Sequence, residues 1–142
     1  MYQFKTEPFN HQREALQASW DAAYHAWFME MGTGKSKVAI DNMGVLYKQG
    51  RIKAALIVAP KGVYDNWVKG EIPAHLPDDI ERKIVRWKPA QSKSYAAELE
   101  DLTMEAYDGL KIFVVNVEAF SSPRGARAAG RFLVQNPDNM MI

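Results

Sequence analysis

The chain has 142 residues, a formal net charge of +1 at pH 7, no cysteine, and 47% hydrophobic residues. This length and balance predict one globular domain with a substantial core, and they argue against a disordered tail or a polybasic arm. The missing cysteines exclude a disulfide scaffold, a thiolate metal site and a cysteine nucleophile. The most apolar stretch, residues 54–60, is too short to span a membrane. The N-terminal residues do not resemble a secretory leader, so we expect a cytoplasmic protein.

Predicted helices and strands alternate along the chain. A first helix is expected near Asn10, which is a good N-cap residue. A short apolar strand over residues 26–29 precedes a helix that begins at Lys35 and stops at Gly50. The later elements are a strand over 54–59, a helix over 63–72 closed by Pro73, a strand over 83–87, an acidic helix over 92–107, a strand over 111–116, a helix that carries Arg124, Arg127 and Arg131, and a turn over 136–139.

The strand pattern predicts the fold class. Residues 54–59 are apolar at every position, which is typical of a strand covered by helices on both faces. The alternation of elements predicts a three-layer α/β domain with a mostly parallel central sheet. Residues 140–142 read as the start of a new buried strand, so we expect one domain over 1–142 that is cut short there. The alternative is a short edge strand that closes the sheet.

The strongest chemical signal is a glycine-rich turn between a predicted strand and a predicted helix. Its residues are Met31, Gly32, Thr33, Gly34, Lys35 and Ser36. Glycines let successive backbone N–H groups point at phosphate oxygens, and a helix start adds unpaired N–H groups and its dipole. Lys35 can reach the β- and γ-phosphates of ATP, and the Ser36 hydroxyl can ligate Mg²⁺. The strict phosphate-loop pattern has glycine where this chain has Met29. The alternative is an ordinary glycine-rich turn with a solvated lysine.

A second candidate group lies upstream, in residues 9–13. The Gln12 amide carries a donor and an acceptor together, which suits the edge of an adenine base. Beside a phosphate loop, Gln12 becomes a candidate adenine reader, with Phe9 next to it. Elsewhere the same glutamine would be an ordinary surface residue.

Together these segments resemble the Q motif and motif I of superfamily 2 helicases, in particular the Swi/Snf group of DNA translocases in its compact phage and bacterial forms. Residues 57–67, Ile-Val-Ala-Pro-Lys-Gly-Val-Tyr-Asp-Asn-Trp, are similar to motif Ia of that group. Residues 114–120 are similar to its motif Ib, with Val117 in place of the usual aromatic residue. The matches occur in the family's order, and the group often lacks the glycine that Met29 replaces.

The resemblance implies an N-terminal RecA-like lobe that binds ATP and Mg²⁺ and belongs to a helicase or translocase moving on DNA. In that family, motifs Ia and Ib face the nucleic-acid backbone. By likeness, Lys61, Gly62, Asn66 and Asn116 would contact DNA, together with backbone N–H groups at the start of the 63–72 helix.

The same resemblance implies what residues 1–142 lack. The family's Asp-Glu-x-His motif and its second RecA-like lobe are not in this sequence, so the chain alone is expected to bind nucleotide without turning it over. The implied compartment is the cytoplasm of a bacterial cell or of a phage-infected host.

Two other functional classes stay open. One is a different phosphate-loop phosphotransferase, such as a small-molecule kinase, and the other is a DNA-binding or annealing module that does not use nucleotide. Trp67 is expected to anchor the core. Arg124, Arg127 and Arg131 fall on one helix face and form either a stripe for nucleic-acid backbone or a solvated, ion-paired face. The histidines are scattered, so no metal site is predicted beyond nucleotide-bound Mg²⁺.

Overall fold

A parallel sheet of four strands, in the order β2–β3–β1–β4, organises the computed structural model of the chain. The structure describes residues 2–19, 35–88, 93–103 and 107–142. β1 pairs on one side with β3, from Ala54 opposite Lys111 to Ala59 opposite Asn116, and on the other side with β4. β2 pairs with the far side of β3. The strands are β1 Ala54–Ala59, β2 Arg82–Arg86, β3 Leu110–Asn116 and β4 Asn139–Met141.

Helices cover both faces of this sheet, which confirms the predicted α/β class with a parallel sheet. On the first face, residues of α2 and α4 pack against β1 and β3. On the second face, residues of α5, α6 and α7 pack against β1, β2 and β3. The helical elements are α1 Asn10–Ser19, α2 Lys35–Lys48, α3 Tyr64–Asn66, a π-helical turn Trp67–Glu71, α4 Ile72–His75, α5 Lys93–Thr103, α6 Val117–Phe120 and α7 Pro123–Gln135.

Successive side chains of the central strands enter different cores, as strand geometry requires. Ile57 and Ile112 belong to the first core, whereas Leu56 and Phe113 belong to the second, and all four are fully buried. The apolar runs over β1 and β3 therefore have the cause that the sequence predicted, which is burial on both faces.

Gly50 ends the first-face helix α2 as predicted. Its φ angle is +73°, in the left-handed region that glycine adopts without strain. The Gly50 N–H donates to the Tyr47 carbonyl and the Arg51 N–H to the Leu46 carbonyl, the two bonds of a Schellman motif. The chain then turns into β1, so the C-terminus of α2 lies at the amino edge of the sheet.

The turn before β4 is held by a buried lysine. The Lys111 ammonium donates to Asn136 Oδ1 at 3.0 Å, and the Asn136 amide donates to the Phe132 carbonyl at 2.9 Å. The Asn139 amide donates to the Asn136 carbonyl at 2.7 Å. These bonds fix the turn that the sequence placed at 136–139, and they lead the chain into its pairing with β1.

Pro73 does not end the helix predicted over 63–72, and this prediction was wrong. Helical structure continues to His75, and Pro73 lies inside α4. A proline normally breaks regular α-helical bonding because it has no N–H and its ring clashes with the preceding turn. Here the turn just before it is π-helical, and the Ile72 N–H donates to the Trp67 carbonyl. The backbone hydrogen bonds have therefore already changed from the i→i−4 to the i→i−5 pattern just before Pro73.

Three further expectations differ from the structure. The first helix begins one residue earlier than an Asn10 cap implies, because the Phe9 carbonyl already accepts from the Arg13 N–H. The acidic helix does not reach Tyr107, which lies outside helical structure. The last strand is only half-buried, and Met141 is 60% exposed, because β4 lies at the end of the strand order that the structure describes. The predicted strand over 26–29 lies outside the described residues.

Candidate functional site

The N-terminus of α2 lies at the carboxyl edge of the sheet. The helix ends near the start of β1, so its first turn lies at the opposite edge. Its 14 residues extend about 20 Å, close to the length of a six-residue strand such as β1. Ligands of open parallel sheets bind outside this edge. The described residues of this helix run from Lys35 to Lys48, and the first N–H groups of any helix have no partner within it.

Of the predicted nucleotide site, the structure describes only part. Met31, Gly32, Thr33 and Gly34 lie outside the described residues. Ser36 is half-buried in the first turn of α2. A serine hydroxyl and unpaired N–H groups in a helix first turn are a donor set that fits a phosphate with its Mg²⁺.

Gln12 caps its own helix. Its Oε1 accepts from the Phe9 N–H at 2.8 Å, and its side chain is buried, with 5% exposure. This is the glutamine half of a capping box, in which the third helical residue reaches back to the N-cap. Phe9 is 70% exposed and stacks on the His11 ring. A hydrogen bond from adenine to Gln12 Oε1 would therefore use an atom that already accepts from the Phe9 N–H at the start of α1.

A buried ion pair in α2 was missed by the sequence analysis. Lys37 Nζ lies 2.8 Å from Asp41 Oδ2, and the two side chains are 5% and 2% exposed. Lys37 also donates to the Thr6 carbonyl at 2.7 Å, and the Tyr2 hydroxyl donates to Asp41. Burial, followed by that hydrogen bond, raises the pKa of Tyr2 well above its usual range. A Lys–Asp pair at i, i+4 inside an apolar helix was the available signal.

This ion pair attaches an N-terminal strap, residues 2–8, to α2. The strap also reaches the far end of the 64–75 helical segment, where Lys5 Nζ donates to the Pro73 carbonyl at 2.7 Å. Thr6 Oγ1 lies 2.8 Å from His75 Nδ1. The strap leads directly into α1, which packs on α2. The segment that carries Phe9 and Gln12 is thus anchored to the helix that follows the glycine-rich motif in the sequence.

Lys61 and Gly62 follow β1 at the carboxyl edge and are exposed. Lys61 has no hydrogen-bond or ion-pair partner among the described residues, and open space surrounds the Gly62 α-carbon. The N–H groups of Val63 and Tyr64 both donate to the Pro60 carbonyl at 3.0 Å. The expectation that the N–H groups at this helix start are available for phosphate is therefore wrong for these two residues.

The two asparagines assigned to DNA bind within the chain. Asn66 is exposed, and its amide lies 3.4 Å from Glu71 Oε1. Asn116 is buried, and its Oδ1 accepts from the Ala119 N–H at 2.6 Å, which caps α6. Asn116 thus holds the loop after β3 in place. Trp67 is half-buried against the first core, as the sequence predicted.

Opposite charges partly neutralise this edge of the sheet. Asp65 pairs with Arg86 and lies 3.2 Å from Lys69 Nζ. Desolvation raises the pKa of Asp65, but the hydrogen bonds and charges of Lys69 and Arg86 outweigh it, so the pKa lies below its ordinary value. Lys61 is a cation at this edge whose charge is not offset by a described carboxylate.

No protein-family model matches the sequence, and no curated protein aligns with it as a relative. Across the described ranges, no set of three or more His, Asp or Glu side chains is arranged to hold a metal ion. No helix in the part of the chain that the structure describes is both long and apolar enough to cross a bilayer. The site therefore rests on the glycine-rich motif and on the edge of the sheet at which its helix begins.

Proposed function

We propose that the chain is the RecA-like, ATP-binding lobe of an ATP-dependent DNA translocase or helicase. The observation that carries the proposal is the run from Gly32 to Ser36, which leads directly into a long helix that begins at Lys35 and covers a parallel sheet. Glycine-rich turns without a phosphate ligand are common, but Gly-x-Gly-Lys-Ser before such a helix is typical of phosphate loops. The all-parallel sheet is compatible with a RecA-like lobe.

Each residue of the proposed nucleotide site has a physical role. The N–H groups of the 32–34 turn and of the α2 start surround the phosphates, and Lys35 offsets their charge. The Ser36 hydroxyl would hold Mg²⁺, and the metal would offset phosphate charge when nucleotide is bound. Gln12 reads the adenine edge with Phe9 beside it. The strap of residues 2–8 holds Phe9 and Gln12 near α2.

The proposed DNA contacts lie at the same edge of the sheet. Lys61 is exposed and has no described partner, and Gly62 leaves room for a phosphate to approach the backbone. Asn66 and Asn116 add polar groups at this edge. The buried Asn116 contributes by capping α6, which fixes the loop after β3. Contacts of this kind bind backbone phosphates and carry no sequence information. In the whole protein, closure of a second lobe over ATP would drive stepping along DNA.

Metal-dependent nucleotide binding tests the nucleotide half of the proposal. We expect a fluorescent ADP analogue to bind more tightly with Mg²⁺ than with EDTA, because Ser36 holds the metal against the phosphates. Ser36→Ala should remove most of that difference and leave metal-free binding unchanged. Ser121→Ala, which changes an exposed serine at the same edge of the sheet, is the matched control. An unchanged metal effect in Ser36→Ala would contradict the assignment.

Duplex DNA separates the proposal from the other two classes. A small-molecule kinase would bind ADP but show no salt-sensitive affinity for a labelled duplex. An annealing module would bind the duplex and be indifferent to nucleotide and to Lys35→Ala. The proposed lobe binds both, and Lys61→Gln should weaken DNA binding without changing the affinity for Mg-ADP.

A further inference from the structure

The strap of residues 2–8 presents every second side chain to the rest of the chain. Tyr2, Phe4 and Thr6 are half-buried, whereas the residues between them are exposed. This alternation is the period of an extended segment that is covered on one face. The strap is therefore fixed through that face, and its C-terminal end continues directly into α1.

The ring of Phe4 joins the two segments that carry the proposed nucleotide contacts. Lys37 Nζ lies 5.3 Å from the ring centroid, and the Arg13 guanidinium carbon lies 5.4 Å from it. Cations at this distance are attracted by the face of an aromatic ring. Lys37 directly follows Ser36 in the sequence. Arg13 directly follows Gln12, so one strap side chain contacts the sequence neighbours of both proposed nucleotide-binding residues.

The strap also completes the environment of a buried charge. Among the described residues, the Lys37 ammonium has three partners, which are Asp41 Oδ2 at 2.8 Å, the Thr6 carbonyl at 2.7 Å and the Phe4 ring. Two of these partners belong to the strap. A displaced strap would leave the ammonium buried with the carboxylate alone, which is costly. The buried charge therefore holds the strap against α2.

Further contacts fix the strap at both ends. The Tyr2 hydroxyl donates to a carboxylate of α2 at one end. Towards the other end, Lys5 Nζ donates to the Pro73 carbonyl at 2.7 Å, and Thr6 Oγ1 lies 2.8 Å from His75 Nδ1. The position of the strap therefore determines where α1 begins relative to α2.

A nucleotide has to meet α1 and α2 at the same time. The sugar holds the base and the phosphates together, so base recognition adds to affinity only if Gln12 lies at the matching position from the phosphate site. Phosphate binding has no such requirement, because its proposed residues belong to the glycine-rich motif and to α2. A shift of α1 would therefore weaken recognition of the base and spare that of the phosphates.

We propose that the strap is a positioning element for base recognition, which fixes α1 against α2 and thereby sets the preference for adenine over guanine nucleotides. This rests on the nucleotide half of the proposed function. The strap itself does not contact the nucleotide and acts through Gln12. The competing role is stabilisation of α2 with no influence on the choice of ligand.

Affinities for Mg-ADP, Mg-GDP and Mg-pyrophosphate separate these two roles. Pyrophosphate reports on the phosphate site alone, whereas the ratio of the GDP to the ADP dissociation constant reports on the base, because guanine has an acceptor where adenine has its amino donor. We expect the wild-type chain to prefer ADP. Phe4→Leu removes the ring and keeps an apolar side chain, so it should lower this preference roughly fivefold, the typical net value of one hydrogen bond. Its affinity for pyrophosphate should not change.

A second variant releases the strap from α2 without leaving a buried charge. Lys37→Met combined with Asp41→Leu replaces the ion pair with apolar side chains, so the chain should still fold. We expect the same loss of preference for ADP and the same retained affinity for pyrophosphate. Lys48→Met combined with Asp79→Leu is the matched control, because it replaces an ion pair at the other end of α2. It should change neither quantity.

The outcomes distinguish the inference from the function on which it rests. Strap variants that keep the wild-type preference for ADP would overturn the inference alone. Variants that lose pyrophosphate binding together with the preference would also overturn it, because the strap would then support α2 as a whole. If the wild-type chain binds all three ligands without preferring ADP, the adenine assignment of Gln12 fails as well. If it binds none of them, the nucleotide half of the proposed function fails.

Discussion

Replacing glycine by alanine should have opposite effects on stability at two positions in α7. Gly125 is buried where α7 meets α6, and a Cβ built there would lie 2.6 Å from the Ala119 carbonyl carbon and 2.9 Å from Ser122 Oγ. Real Cβ atoms do not approach backbone this closely. Gly130 lies one and a half turns later in the same helix, and a Cβ built there would meet nothing within 4 Å. The pair separates helix propensity from steric fit within one element.

The magnitudes follow from the two environments. At Gly130, alanine removes the extra backbone entropy of glycine and should stabilise the chain by about 0.5–1 kcal/mol. At Gly125 the same gain is opposed by forced movement of α6 against α7, which costs about 1–3 kcal/mol. It is also opposed by distortion of the Ser122 cap, worth about 1 kcal/mol. We therefore expect Gly125→Ala to destabilise the chain by roughly 1–3 kcal/mol.

Urea unfolding followed by circular dichroism measures both variants against the wild-type chain. The slope of free energy against urea should not change, because neither variant alters the surface exposed on unfolding. A Gly125→Ala variant as stable as Gly130→Ala would refute the close approach of α6 and α7. Destabilisation by Gly130→Ala would refute the open environment of that position.

Three further predictions concern the core, the strap and pH. Phe132→Ala, at a side chain in contact with Phe113 and 1% exposed, should cost about 3–5 kcal/mol in urea unfolding. Asp41→Ala should cost a similar amount, about 3–5 kcal/mol, because it leaves the Lys37 charge buried without its partner, and Lys37→Met with Asp41→Leu should recover most of it. A hydrogen bond from Lys5 lowers the pKa of Asp78 below its ordinary 3.8, and one from Lys48 does the same for Asp79. The two pairs therefore stabilise the folded chain slightly above pH 3.8, and this stabilisation disappears as the pH falls through the folded-state pKa values. Stability measured against pH should fall less steeply in acid for the Asp78→Asn, Asp79→Asn double variant, and an unchanged acid limb would contradict the pairing.

The sheet was predictable because its signals are local. An uninterrupted apolar run such as 54–59 has few explanations besides a strand buried on both faces, and the structure bears this out over β1 and β3. Gly50 marked the end of α2 because a left-handed residue at that position favours glycine. These features depend on residues close together in sequence.

Some of the features that the sequence did not predict join distant residues, and others are local. Lys37 looked like an ordinary surface lysine until Thr6 and Asp41 surrounded it in the folded chain. Pro73 was predicted to end the helix because no residue pattern before it indicates a π-helical turn. The motif gave Gln12 a role in ligand binding, and its capping of α1 emerges only from the backbone geometry. The contact of Lys37 with Thr6 depends on tertiary structure, which composition and spacing do not determine. The Gln12 cap and the π-helical turn depend on local backbone geometry.

Calorimetric titration with Mg-ADP measures whether the chain binds nucleotide through Lys35. We expect saturable binding to the wild-type chain and its loss in Lys35→Ala, because the proposed site uses Lys35 to offset the phosphate charge. Lys48→Ala, which removes the same charge at the other end of that helix, should bind like the wild-type chain. Equal binding by the wild-type chain and by Lys35→Ala would exclude Lys35 from the site and contradict the account.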